Sequence, residues 1–249
     1  MNFKQARFPH LAPCVFRVIC AGKSGSGKTS AMYSAITNMC KGCFKSMVIV
    51  SRTAKLDRSF IQLRDWAERN LGQDSREKQF VFTDFDEDAL MTIFSDHAKL
   101  VAKEKRQRKE ENSKAPLSQI CWIIDDLSDS QILRQRNESI LNKLFTIGRH
   151  SGQNVWLNIH ALSVAGPLLR KNASMLLSFK ISNSKELEQL ERAHAALIGL
   201  EEFRDIYNLA VGRSAPKCSF LTILPNAASE DEMFLARFDQ RLVVESDSD

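Results

Sequence analysis

The 249-residue sequence lacks a stretch that reads as a membrane span. Residues 151–169 carry no Asp, Glu, Lys or Arg, but Gln153, Asn154, Asn158, His160 and Pro167 interrupt them, so no bilayer-crossing helix is expected there. A secretory leader is equally absent. Pro9, Pro13 and Arg17 break any apolar segment at the amino terminus, and residues 15–21 are needed as a strand. No internal repeat and no linker of domain-dividing length occurs, so one domain is expected over residues 1–243, followed by an acidic, disordered tail at 244–249. Of the six cysteines, at 14, 20, 40, 43, 121 and 218, only Cys40 and Cys43 have metal or redox spacing. Neither a second such pair nor a spaced histidine pair accompanies them. Several of the others interrupt apolar strands, where a thiol acts as a small hydrophobe, and a soluble protein of a reducing compartment is the expectation. The net charge of +5 permits an anionic partner without requiring one.

What is present is an alternation. Short apolar, β-branched runs at 15–21, 46–50, 79–82, 119–124, 154–159, 175–181 and 219–224 read as strands. Helical patterns fall between them at 30–39, 56–70, 86–109, 132–147 and 185–197. In the second of these the apolar stripe is Leu56, Phe60, Leu63 and Trp66 or Ala67. Repeated strand–helix alternation predicts an α/β fold with a largely parallel sheet covered by helices on both faces.

Between the first strand and the first helix stands A-G-K-S-G-S-G-K-T-S, residues 21–30. Gly22 to Thr29 match G-x-x-x-x-G-K-T, the phosphate-binding loop, in the strand–loop–helix context that the loop's mechanism requires. Glycines allow the backbone to turn tightly, so that successive N–H groups and the start of the following helix face phosphate oxygens. Gly22, Lys23, Ser24, Gly25, Ser26, Gly27, Lys28, Thr29 and Ser30 are therefore the candidate ATP ligands. Lys28 would neutralise the β- and γ-phosphates, its side chain pointing into a solvent-filled loop, and Thr29 would hold Mg2+.

Such a loop needs a carboxylate across the phosphates, and I-C-W-I-I-D-D at 120–126 supplies two at the end of an apolar strand. Asp125 is read as the second Mg2+ ligand and Asp126 as the base that aligns the attacking water. Taken alone, the same pair would also suit a helix N-cap before residues 128–134. Asn142-Lys143-Leu144-Phe145 lacks the Asp of a guanine-reading N-K-x-D, which argues against a GTPase. The signature of ATP-binding-cassette proteins is absent as well.

Downstream come G-R-H-S-G-Q-N-V-W-L-N-I-H-A-L at 148–162 and P-L-L-R-K-N-A-S-M-L-L-S-F-K-I at 167–181. The order of phosphate loop, D-D strand, G-R-H turn, strand with a polar end, N-A segment and apolar strand resembles the poxvirus-type genome-packaging ATPases of the FtsK/HerA superfamily. It spans roughly residues 14–190. The resemblance implies an ATPase that assembles as a homo-oligomeric ring, drives double-stranded DNA into a capsid, and acts in the virion or at a cytoplasmic virus assembly site of the host. It places His160 at the sensor position, where the family usually has Gln, with Asn158 two residues earlier as the alternative. It also implies a trans-acting arginine, for which Arg149 and Arg170 are the candidates, since Leu176 stands where cellular FtsK-like members have an Arg.

Two other classes share the loop. A small-molecule kinase would need a cationic lid, for which the basic run at 99–114 is the candidate. That run also reads as the solvated end of a long helix or as a nucleic-acid contact. A nucleotide-gated capsid scaffold would share every feature named. No groove-reading motif is present, so DNA contacts are expected on phosphates and without sequence preference.

Overall fold

A computed structural model describes residues 3–6, 14–74, 77–125, 139–196 and 198–243. Its frame is one nine-stranded sheet in the order β3-β2-β4-β5-β1-β6-β7-β8-β9. The strands are β1 (Arg17–Ala21), β2 (Ser46–Ser51), β3 (Val81–Phe82), β4 (Ile120–Asp125), β5 (Gln153–Ile159), β6 (Met175–Phe179), β7 (Phe220–Ile223), β8 (Phe234–Ala236) and β9 (Gln240–Arg241). The first six are parallel to their neighbours, and β6 through β9 pair antiparallel.

The central strands read as continuous apolar runs because both faces are covered. Even-numbered residues of β1 (Val18, Cys20) meet Met32 and Ile36 of α1 (Lys28–Ser34) and its π-helical continuation (Ala35–Met39), and Phe60 and Leu63 of α2 (Arg58–Leu71). Odd-numbered residues (Ile19, Ala21) face α3 (Glu87–Glu110), α4 (Ile140–Thr146), α5 (Pro167–Asn172), α6 (Ser184–His194) and α7 (Leu200–Val211). Side chains two apart share a face, so β1, β4 and β5 each send one residue set toward α1.

Helix starts follow local chemistry. The Asp57 carboxylate accepts from the Ser59 N–H at 2.7 Å, and Gly72, with φ 65°, ends the same helix. Asp86 caps α3 by accepting from Ala89 N–H, with Glu87 and Asp88 in its first turn and Arg108 and Lys109 in its last, the charge order favoured by the helix dipole. Because the Asp57 cap sets the start of α2, Leu56 falls outside it and is 82% exposed, whereas Phe60, Leu63, Trp66 and Ala67 are buried as expected.

Several elements depart from the sequence reading. The expected single helix at 30–39 is an α-helix that widens into a π-turn. Strand-like residues at 219–224 are not the last strand, since β8 and β9 follow, and α5 and α7 were not anticipated. Residues 132–138 of the expected 132–147 helix, and the tail at 244–249, lie outside the described residues. Among the described residues no helix is long and apolar enough to cross a membrane.

At the strand-entry edge, three polar side chains tie the central strands together. Asn154 Oδ1 accepts from the Phe16 N–H at 2.9 Å and Asn154 Nδ2 donates to Gln119 Oε1. Gln153 Oε1 accepts from Trp122 Nε1 at 3.0 Å. Asn154 and Gln153 are fully buried and Gln119 nearly so. Their hydrogen bonds offset the cost of burying amides.

Candidate active site

The loop at 22–30 leaves the exit end of β1. Gly22 N–H donates to Ile159 O at 3.1 Å, which fastens the loop to the end of β5. A Cβ on Gly22 would lie 2.7 Å from Phe179 Cβ and 2.8 Å from Ser26 Oγ, so no side chain fits. Gly25 (φ 72°) and Gly27 (φ 104°) occupy the left-handed region that other residues adopt only with strain. Gly27 is the N-cap of α1.

Lys28 does not point into open solvent as expected. Its side chain is buried and curls back, with Nζ donating to Gly22 O at 2.6 Å and Lys23 O at 3.1 Å. The ammonium thus sits inside the loop's own ring of peptide groups. Ser26 Oγ is buried with no hydrogen-bond partner among the described residues. A hydroxyl left unpaired in a loop of this form fits a phosphate oxygen as its absent partner.

Three strands bring the rest. β5 lies between β1 and β4, pairing Ala21 with Ile159 and Ile124 with Leu157. Asp125 ends β4 opposite Ser51 of β2 and belongs to the residue set that faces α1. A cleft of about 610 Å³ is lined by loop residues Ser24 to Ser30, Thr53, Asp57, Asp125, Asn158, His160, Lys217 and Cys218. Loop, Thr29 hydroxyl, Asp125 and both sensor candidates are therefore in one place. Cys20, beneath them, has its thiol pushed up by burial, with Lys28 opposing and Asp125 reinforcing that shift.

The two sensor candidates differ in their surroundings. Asn158 is fully buried; its Oδ1 accepts from Trp156 Nε1 at 2.9 Å and its Nδ2 faces Met32 Sδ. His160 is exposed at the end of β5 beside the loop. Both line the cleft, Asn158 from a buried and His160 from an exposed position. Asp126 lies outside the described residues.

Arg149 and Arg170 are not in the cleft. Arg149 belongs to a 3-10 turn at 148–151 that precedes β5, and Arg170 to the last turn of α5, which precedes β6. Both are exposed near the strand-entry edge, at the opposite end of the strands from the loop. Arg17 shares that edge, donating from Nε to Asn172 O, and its pKa is lowered by burial and then by the charge of Arg149. The basic run at 99–114 is the second half of α3 and its continuation, and Lys105 Nζ donates to His150 O at 2.6 Å. It too lies at the strand-entry end, so it is not placed to close over the loop as a lid.

Cys40 and Cys43 are buried near Cys14, whose thiol is pushed up to about 12 by its hydrogen bond with Cys40, burial adding. Among the described residues no group of three or more His, Cys, Asp or Glu side chains is arranged to hold a metal ion. Thr29 and Asp125 line the cleft and could hold Mg2+, an ion that keeps most of its waters and binds mainly through phosphates.

Strand order, loop and cleft define the fold of a phosphate-loop NTPase. No protein-family model and no curated protein matches the sequence. Solved structures do match it in fold. The genome packaging NTPase B204 from Sulfolobus turreted icosahedral virus 2, in complex with AMP, aligns with a TM-score of 0.58 at 15% identity, over 89% of this chain and 96% of that one. B204, the DNA-packaging ATPase of Sulfolobus turreted icosahedral virus, aligns at 0.54 and 17% identity, over 88% and 95%. EssC (ATPases 2 and 3) from Geobacillus thermodenitrificans aligns at 0.55 and 14% identity over 90% of this chain but only 39% of that one.

Proposed function

We propose that the protein is a Mg2+-dependent ATPase of the FtsK/HerA type that works as a homo-oligomeric ring on double-stranded DNA and packages a viral genome. The observation that carries the enzymatic part is the convergence, in one cleft, of the phosphate loop, the Thr29 hydroxyl, Asp125 and His160. Lys28 neutralises charge on the terminal phosphates. Thr29 and Asp125 would hold Mg2+, which supplies further neutralisation of the phosphate oxygens when bound. Asp126 orients the attacking water and accepts its proton, and His160 donates a hydrogen bond toward the terminal phosphate.

For the motor part the support is charge and placement. Lys103, Arg106 and Lys109 are exposed on the second half of α3, which touches the 148–151 turn through Lys105, at the edge remote from the loop. Glu104, whose carboxylate accepts from Ser118 N–H at 2.8 Å and from the Ser118 hydroxyl, together with Glu110 and Glu111 offsets only part of this charge, and the run stays net positive. A cationic surface of this kind suits a phosphate backbone and carries no base readout. The same edge presents Arg149 and Arg170 away from their own loop, which supports a role for either at a neighbouring subunit's cleft. The packaging role, the poxvirus-type branch and a capsid partner rest on the motif order and on the fold shared with B204.

ATP turnover measured with and without long duplex DNA tests the proposal. Expected are Mg2+-dependent hydrolysis, stimulation by DNA, and loss of that stimulation as salt rises. Phosphate transfer to a small molecule in place of water would favour a kinase. ATP binding with no turnover in the presence of DNA would favour a nucleotide-gated scaffold.

A further inference from the structure

The segment between α7 and β7 has no role in the account so far, yet it returns to the phosphate loop. β7 runs antiparallel to β6, so its first residue, Phe220, pairs with the last of β6, Phe179. Phe179 is the side chain against which Gly22 packs, and its ring lies 5.0 Å from that of Phe220. Just before Phe220, Cys218 abuts the other end of the loop: a Cβ on Gly27 would lie 2.8 Å from Cys218 Cβ and 3.3 Å from its sulfur. Cys218 holds a left-handed backbone at φ 61°, in a turn closed by Ser219 N–H donating to Pro216 O at 3.1 Å. A non-glycine residue kept in that conformation costs free energy, and such positions cluster where a side chain must be aimed.

Lys217 and Cys218 line the cleft together with the loop, and Lys28 and Lys217 are the only Lys or Arg side chains lining it among the described residues. Lys217 is exposed and has no ion-pair partner among them. Asp125 and His160 reach the loop from β4 and β5, on one side of β1, whereas Lys217 and Cys218 reach it from β6 and β7, on the other. A nucleotide lying along the loop with its terminal phosphates toward Asp125 directs its nucleoside end toward Lys217 and Cys218.

We infer that Lys217 binds the phosphate next to the nucleoside and that Cys218 forms the wall beside it, so that bound nucleotide and a substituent on the Cys218 sulfur exclude one another. This rests on the ATP reading of the cleft. It assigns a role to the antiparallel end of the sheet, which supplies the second wall of the site. Cys218 is also the one exposed thiol; the other five are buried, and Cys14, Cys20 and Cys121 have their pKa values raised.

The test uses the full-length protein and iodoacetamide, which forms a carbon–sulfur bond at Cys218, releases iodide and leaves the thiol proton to the buffer. Peptide mass follows the modification, and equilibrium dialysis measures ATP binding independently. Saturating ATP is expected to slow Cys218 alkylation at least ~10-fold, while tripolyphosphate, which fills the loop without a nucleoside, slows it by less than ~3-fold. Lys217→Ala should weaken ATP binding about 10-fold and Lys217→Arg should restore most of it, with thermal midpoints unchanged. If dialysis shows ATP bound but alkylation proceeds at the free rate, or if Lys217→Ala binds ATP normally, the inference is wrong and the ATP site stands. If no ATP binds, both fall.

Discussion

The Lys28 side chain braces the phosphate loop from within. Its ammonium is held by the carbonyls of Gly22 and Lys23, so the positive charge is already placed where phosphate oxygens must come. Lys28→Ala removes that charge and the loop's internal brace together. ATP turnover is expected to fall at least ~1000-fold, about 4 kcal/mol of transition-state stabilisation at 1.36 kcal/mol per decade. The proposed roles of Asp125 and Asp126 are separable. Asp125→Asn should weaken Mg2+-dependent nucleotide binding. Asp126→Asn should bind Mg-ATP normally and hydrolyse it about 100-fold more slowly, the worth of a positioned base; equal effects on nucleotide affinity would contradict the division. At His160, Gln is expected to support turnover and Ala to lose it, as steady-state rates would show. The loop, Thr29 and Asp125, singled out by spacing and flanking hydrophobicity, line one cleft, whereas His160 was pointed to only by the resemblance and Asp126 lies outside the described residues. The cleft's other wall was not legible in the sequence, since Lys217 and Cys218 are far from the loop in sequence and only the antiparallel return of β7 brings them to it.

Helix α3 carries its own titratable weakness. Its buried face reads Leu90, Phe94, His97, Val101, so an imidazole occupies a position in an apolar stripe. Burial lowers the His97 pKa to about 4, with the Glu104 charge and a Ser118 backbone hydrogen bond only partly opposing it. The folded state therefore disfavours the proton that the unfolded chain takes up near its ordinary value of 6.5. Stability present above pH 6.5 is lost as pH falls toward 4, by up to about 3 kcal/mol. His194, also lowered to about 4 by burial, acts with the same sign. Denaturant melts at stepped pH should show this slope, and His97→Met should remove its own share, leaving the part due to His194. In β5, Asn154→Ala would leave the buried Phe16 N–H without its acceptor. A loss of about 3 kcal/mol is expected in the same assay, within the range for breaking a buried amide network. Strand–helix alternation was readable because both-face burial makes the parallel strands continuous apolar runs. The ends of elements were less so. β9 has two residues and β8 three, too few for a period to show, and α5 hides behind Pro167, which serves as its first residue. The α7 stripe of Phe203, Ile206, Tyr207, Ala210 and Val211 does have helical spacing, so a signal for that helix was present.

Across the whole molecule, the sheet separates two edges. At the strand-exit edge are the loop, Asp125 and His160; at the strand-entry edge are Arg17, Arg149, Arg170 and the basic half of α3. Neither candidate arginine lines the cleft of its own loop, so under the ring proposal either would act on a neighbouring subunit. Replacing Lys103, Arg106 and Lys109 with Glu should abolish DNA stimulation and flatten the salt dependence, leaving DNA-independent turnover in place, as rates measured across a salt series would show. The most direct test of the ring motor is complementation. An Arg149→Ala, Arg170→Ala protein keeps its loop and should bind ATP normally while losing about 1000-fold or more in turnover, as for arginine fingers. A Lys28→Ala protein keeps both arginines and has a dead site. Mixed on duplex DNA, the two inactive proteins are predicted to recover ATP hydrolysis at hybrid interfaces. No recovery at any mixing ratio, with native mass showing only monomer in the presence of ATP and DNA, would contradict the account.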